Sequence, residues 1–188
     1  MRPSAYWALR TCENSRTRCD VQGSTLEARN CSIKENAAAE GGGLTAVGNS
    51  AVLVAEGTEL RENTARGTSG GGGLYLLQSG FECYDSLISG NVGWGHGGGL
   101  HLHQSSQARF ESCELRDNKV ENCEGSLLDC GGGGIAVGDT SYVTIGKASS
   151  LEGNQAPGCG GAVLAYESSN ITVLRTYLWG NEAHGDGG

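Results

Sequence analysis

The sequence predicts an all-β fold: a right-handed parallel β-helix of about six coils, each built from three short strands. Three observations lead there. An aliphatic residue followed three positions later by Asn recurs at Ile33/Asn36, Leu60/Asn63, Ile88/Asn91, Leu115/Asn118, Leu151/Asn154 and Leu178/Asn181, with Asn gaps of 27, 28, 27, 36 and 27. A glycine cluster and an aliphatic pair then follow, as in Gly71-Gly72-Gly73-Leu74-Tyr75-Leu76 and Gly97-Gly98-Gly99-Leu100-His101-Leu102. Between cluster and Asn, apolar residues alternate with period two, as at Leu100/Leu102, Ala108/Phe110 and Cys113/Leu115. A unit of this size cannot bury its own apolar face, so units must stack, and short alternating runs stack as strands.

The elements follow in chain order. Residues 1–22, with Tyr6, Trp7, Cys12 and Cys19, do not match the repeat and are expected to form an N-terminal cap or irregular segment. Residues 23–188 carry the repeats. Glycine at the first corner supplies positive φ and close backbone approach, and Asn tolerates the left-handed region while its amide bonds the Asn one coil away. The Asn column 36, 63, 91, 118, 154 and 181 is therefore expected to be a structural ladder, with Asn36 as its first rung and Asn181 as its last. The wide fourth gap places an inserted corner loop at 119–130. A further repeat starts at Gly187-Gly188, which predicts a longer array or a partner chain over the last coil, where Tyr177 and Trp179 point outward.

Composition narrows the function. With 13 Lys+Arg against 21 Asp+Glu the formal net charge is −8, so neither phosphate neutralisation nor anionic lipid attraction is available, and no nucleic acid or membrane partner is expected. The 33 glycines come with only 2 prolines and no triplet period, which excludes collagen and proline-rich linkers.

The tetrapeptide Gly160-Gly161-Ala162-Val163, its Gly-substituted versions and the six aliphatic-x-x-Asn segments resemble the GGA[ILV] and FxxN repeats of the polymorphic outer membrane proteins of chlamydial autotransporters, with Ile or Leu in place of Phe. The resemblance covers residues 24–188 and implies an exported β-helix with an adhesive or structural role.

Eight cysteines, an even number, suit an oxidising compartment, extracellular or at the cell surface. No C-x-x-C is present, so zinc is not expected. Cys123 and Cys130 bracket the inserted loop and Cys159 lies one coil on, so one disulfide is expected among these three; Cys12 and Cys19 are further candidates. Cys83 and Cys113 face inward and are expected to pack as buried thiols. Asn30-Cys31-Ser32 and Asn170-Ile171-Thr172 are N-glycosylation sequons in agreement with secretion.

Catalytic constellations do not assemble. Gly95-His96-Gly97 repeats the GHG tripeptide of polygalacturonases, without the paired aspartates an inverting glycosidase needs, and His96 is expected simply to fill the glycine corner. Glu35 and Glu62 stand one coil apart, but Lys34 and Arg61 neutralise them. The glycine runs precede strands, not helices, so they do not cradle phosphates. No cofactor is expected, and His101 with His103 lacks a third metal ligand. The outward positions of the first strand, Tyr75, Leu77, His101, His103, Leu164 and Tyr166, form the one face with character, a semi-apolar stripe suited to a protein or glycan. The expected function is a non-enzymatic structural or adhesive module, with a polysaccharide-active enzyme as the alternative.

Overall fold

The computed structural model describes residues 6–9, 18–123 and 130–185 and forms a right-handed parallel β-helix. Four sheets run its length where three were expected. The first holds Cys19–Gln22 and then the strands after the glycine clusters, Leu44–Val47, Leu74–Leu77, Leu100–His103, Ile135–Val137 and Val163–Ala165. The second is seven-stranded and runs from Tyr6–Leu9 to Asn170–Val173; the third carries the aliphatic residues of the ladder motif, from Ser32–Lys34 to Tyr177–Trp179. The fourth, unforeseen, consists of strands two or three residues long directly after each ladder Asn, from Ala37–Ala38 to Glu182–Ala183. Such short segments show no alternation and left no mark in the sequence.

The N-terminal segment also differs from expectation. Tyr6–Leu9 pairs in parallel with Thr25–Arg29, and Cys19–Gln22 with Leu44–Val47, so both extend the sheets. The expected loop at 119–130 starts later, because Lys119–Glu121 is a fourth-sheet strand paired with Val92–Trp94. In the second sheet the outward column runs Glu27, Leu53, Glu82, Arg109, Thr144 and Thr172. Val54 is fully buried.

Inside, one continuous column of aliphatic residues joins the coils, with Phe81 and Phe110 in tilted contact at 5.6 Å between ring centres. The ladder beside it is complete at its inner rungs. The Asn91 amide nitrogen donates to Asn118 Oδ1 (2.9 Å) and to the Leu60 carbonyl (2.9 Å), while Asn91 Oδ1 accepts from Asn63 Nδ2 and from the Asn63 backbone (both 3.0 Å). Leu60 lies three residues before Asn63, so the motif spacing has a physical origin: the aliphatic side chain enters the core and its carbonyl receives the next coil's amide. The left-handed residue is the one before each Asn, as at Glu35, Glu62 and Asp117 (φ 58°, 56° and 55°) and Gly90, not the Asn itself.

Asn36 departs from the expected ladder, being only half a rung. Its side-chain amide (3.0 Å) and its backbone N–H (3.1 Å) both donate to Asn63 Oδ1, which ties it to the following coil. Its own Oδ1, however, is buried and accepts no hydrogen bond. The reason lies in the direction of the column: each ladder oxygen is filled by donors from the coil before. Among the described residues no strand precedes Ser32–Lys34 in the third sheet or Ala37–Ala38 in the fourth, and none of them places an Asn to donate to Asn36. The sequence pattern gave Asn36 the same standing as Asn63 because both follow an aliphatic residue by three positions.

The glycines are fixed by this ladder. In the cluster before Leu100, Gly97 has φ +57°, a Cβ on Gly98 would collide with the Lys119 backbone and the Gly133 carbonyl, and Gly99 lies against the Asn118 amide. Each coil thus closes where its glycines meet its own Asn.

Two further corner columns escaped sequence reading. Ser50, Ser79, Ser106 and Ser141 turn the chain from the first sheet into the second, each hydroxyl accepting the backbone N–H of its counterpart one coil back, from Ser24 N to Ser50 Oγ (3.5 Å) through Ser106 N to Ser141 Oγ (3.0 Å). Between the second and third sheets Thr58 and Ser149 accept from Cys31 N and Cys113 N in the same way. The signal was present, a Ser at the same place in each repeat, but Ser is common in any turn.

Cys83 and Cys113, expected to be thiols, form a disulfide with Cα atoms 6.5 Å apart. Cys83 is the register partner of Phe110, which brings Cys113, three residues on, around the corner and across the core to it. Cys123 and Cys130 form the second disulfide, as expected at the insertion. Cys12 lies outside the described residues.

Asn118→Ala should cost about 2–4 kcal/mol, since it orphans Asn91 donors and the Ile88 carbonyl, each buried unmet group being worth about 1–3 kcal/mol. Asn181→Ala, on the half-exposed last rung, should cost less than half as much, and urea unfolding of both variants tests the ladder. Replacing Asn122–Cys130 by one glycine, the length of the neighbouring corner at Gly95, should leave unfolding cooperative, with the β-type circular dichroism unchanged.

Candidate functional site

The first-sheet stripe is brought together, but in a different setting from the one expected. Tyr75 and His101 are only 5% and 3% exposed. The fourth-sheet strands lead into the glycine corner, which folds back over the outer face of the first sheet. Thr45 Oγ1 donates to the Glu40 carbonyl (3.2 Å), and His101 Nδ1 bonds the Ser69 carbonyl. Leu77, His103, Leu164 and Tyr166 remain half-buried at the rim.

These side chains form an aromatic cluster. His101 packs against Tyr75 (5.5 Å), His96 (5.2 Å) and His103 (5.7 Å), and Tyr166 stacks on His96 at 5.1 Å. Thus His96, expected only to fill a corner, is part of the stack. Tyr166 reaches back across one whole coil, its ring occupying the space a side chain at Gly138 would need, and its hydroxyl lies 2.8 Å from His101 Nε2. A carbonyl only accepts, so His101 carries its hydrogen on Nδ1 for Ser69, and Nε2 accepts from Tyr166. Burial first, then the neighbouring His96, keeps the His101 imidazole neutral, its pKa pushed down to about 3. Burial likewise raises the phenols of Tyr75 and Tyr166. His103 lies 3.9 Å from Asp139. Among the described residues no group of three or more His, Cys, Asp or Glu is arranged to hold a metal.

The more open surface is the second sheet. A shallow groove of about 460 Å³ is lined by Leu53, Glu82, Gln107, Arg109, Tyr142 and Thr144, among others, with Tyr142 45% exposed. The ions beside it are matched: Arg29 bonds Glu27 and Glu56, Arg109 bonds Glu111, and Lys147 reaches Glu111 at 3.0 Å. Arg109, then Lys147, holds the Glu111 carboxyl below its usual range. Glu62 is likewise paired with Arg61 at 2.8 Å.

Cys19, Cys31 and Cys159 lie apart from the aromatic cluster and the groove. Cys159 is the register partner of Gly131, not of Cys130, and takes no part in a disulfide. Burial, with Asp20 and Cys31 nearby, raises the Cys19 thiol. At the far end the core columns emerge: Leu178, in line with fully buried Leu151, is 51% exposed, and Trp179 is 72% exposed.

Parallel sheets wound around a single apolar column, with an internal amide ladder, define the class of β-solenoids. The family described as the right handed beta helix region matches residues 14–186, and the chain belongs to it. No curated protein and no solved structure matches significantly.

His101 yields a pH prediction. Its folded pKa lies below the unfolded value of about 6.5, so the unfolded state binds the extra proton and stability falls as pH drops through the window from about 6.5 towards 3. The limiting slope is about 1.4 kcal/mol per pH unit. Urea midpoints at pH 7, 6 and 5 should decline accordingly, and His101→Phe should flatten the decline.

Proposed function

We propose that the chain is a non-enzymatic surface module, structural or adhesive, that binds a protein or glycan partner in an extracellular or cell-surface setting. The observation that carries this is the open second-sheet groove: a rigid strip with one accessible tyrosine ring, amides and hydroxyls, whose neighbouring ions already neutralise one another. A fixed surface loses little ordering entropy on binding, and an aromatic ring between hydrogen-bonding groups suits a sugar face or a peptide edge. The rim of the first sheet, Leu77, His103, Leu164 and Tyr166, offers a second contact area, and a partner strand over the last coil would cover Leu178 and Trp179. The resemblance to polymorphic outer membrane protein repeats supports adhesion. Two disulfides support an oxidising compartment, and no described helix is long and apolar enough to cross a membrane.

The β-helix fold is equally compatible with polysaccharide-active enzymes of the pectin lyase-like class. A general acid must keep its proton near neutral pH, whereas Glu111 beside the groove is held as an anion.

A glycan array and a reducing-end assay on acidic and neutral polysaccharides separate the two. Binding without product release is expected. Leu53→Ser with Tyr142→Ser should weaken the best glycan at least about tenfold, the loss of roughly 1.4 kcal/mol, while Leu77→Ser with His103→Ser reports on the other face. Product release by the parent protein would replace the module by an enzyme, and unchanged binding in both double variants would remove both faces.

A further inference from the structure

We propose that Tyr166 and His101 form an acid-released latch that pins the turn after Val163–Ala165 onto the outer face of the first sheet, with the Ser69 carbonyl holding the imidazole in place. The proposal does not depend on any ligand.

The latch joins three separate coils. His101 projects from Leu100–His103, Ser69 belongs to the corner before Leu74–Leu77, and Tyr166 follows the strand Val163–Ala165. Both imidazole nitrogens are engaged, one donating to Ser69 and the other accepting from Tyr166. A second proton would place a cation in a pocket closed to water and walled by two more imidazoles and two tyrosine rings.

The Ser69 carbonyl favours the charged form, but it and the other groups around the imidazole do not offset burial. His96 faces it from its own corner and His103 from the same strand; Asp139, from the next coil, is aimed at His103. Glu167 and Asp139 act on the Tyr166 phenol and Glu40 on Tyr75. Hydration of the cation therefore requires one wall to move. Tyr166 is the wall that can: it is half-exposed and is followed by a turn at Glu167 and Ser168, both with positive φ. Lifting it and its turn off Gly138 breaks the bond from the Tyr166 N–H to the Val137 carbonyl and opens His101 to water, while the Ser69 carbonyl keeps the Nδ1 hydrogen and the strands Leu74–Leu77 and Leu100–His103 stay paired.

An imidazole that regains its ordinary basicity on opening makes the open population rise about tenfold per pH unit below about 6.5. The open form stays a minor species, so amide hydrogen exchange is the suitable probe. In the intact protein, exchange corrected for intrinsic rate should speed up about tenfold or more between pH 6.5 and 4.5 in segment 166–169, while segment 66–71 and the buried strands Leu74–Leu77 and Leu100–His103 keep their protection. Equal acceleration everywhere, or none, would overturn the latch. Tyr166→Phe removes the hydroxyl and should already show fast exchange in segment 166–169 at pH 6.5, with a smaller response to acid. If that variant retains the parent's exchange at both pH values, Tyr166 is not the fastening.

Discussion

The buried asparagine column is the constraint on which the rest of the solenoid depends. An unmet amide in an apolar interior costs about 1–3 kcal/mol, so every inner rung must find its partners above and below. Only one register does this. The Asn63, Asn91, Asn118 and Asn154 amides meet neighbours at 2.8–3.0 Å, and that contact sets the coil pitch, places the aliphatic residue three positions earlier in the core, and leaves no space for a side chain at Gly99. Ala162 takes the third cluster position only before the outermost coil, whose rung Asn181 is half-exposed.

What the sequence made legible was whatever repeats with a distinctive residue. Asn beside an aliphatic residue, and glycine in clusters, are rare enough in combination to stand out; both proved structural. The pattern could not tell an inner rung from an end rung, which is why the unfilled oxygen of Asn36 emerged only from the three-dimensional column. The fourth sheet was hidden because Ala37–Ala38 or Gln155–Ala156 is too short to show a period. That omission had a further effect: without it the corner could not be seen to fold over Tyr75 and His101, so an outward stripe was read as an open one. The Cys83–Cys113 link stayed hidden because those residues occupy different positions in the repeat, and only the three-dimensional corner brings them together.

Function was far less legible, for a related reason. The repeated residues build the column, whereas a site on a solenoid is made of residues that differ from coil to coil. Tyr142, Gln107 and Arg109 share a face with Thr25, Ala51 and Gly80 and match no motif. Tyr166 meets His101 across 65 residues of sequence only because Gly138 leaves the intervening coil bare.

The corner columns also have a direction. In each, a backbone N–H of one coil is satisfied by a side-chain oxygen of the following coil, at Asn118 to Asn154 as at Ser106 to Ser141. The two faces of a coil are therefore not equivalent: one offers corner N–H groups and the other the side-chain oxygens that receive them, so coils fit together in one orientation only, as a plug fits its socket.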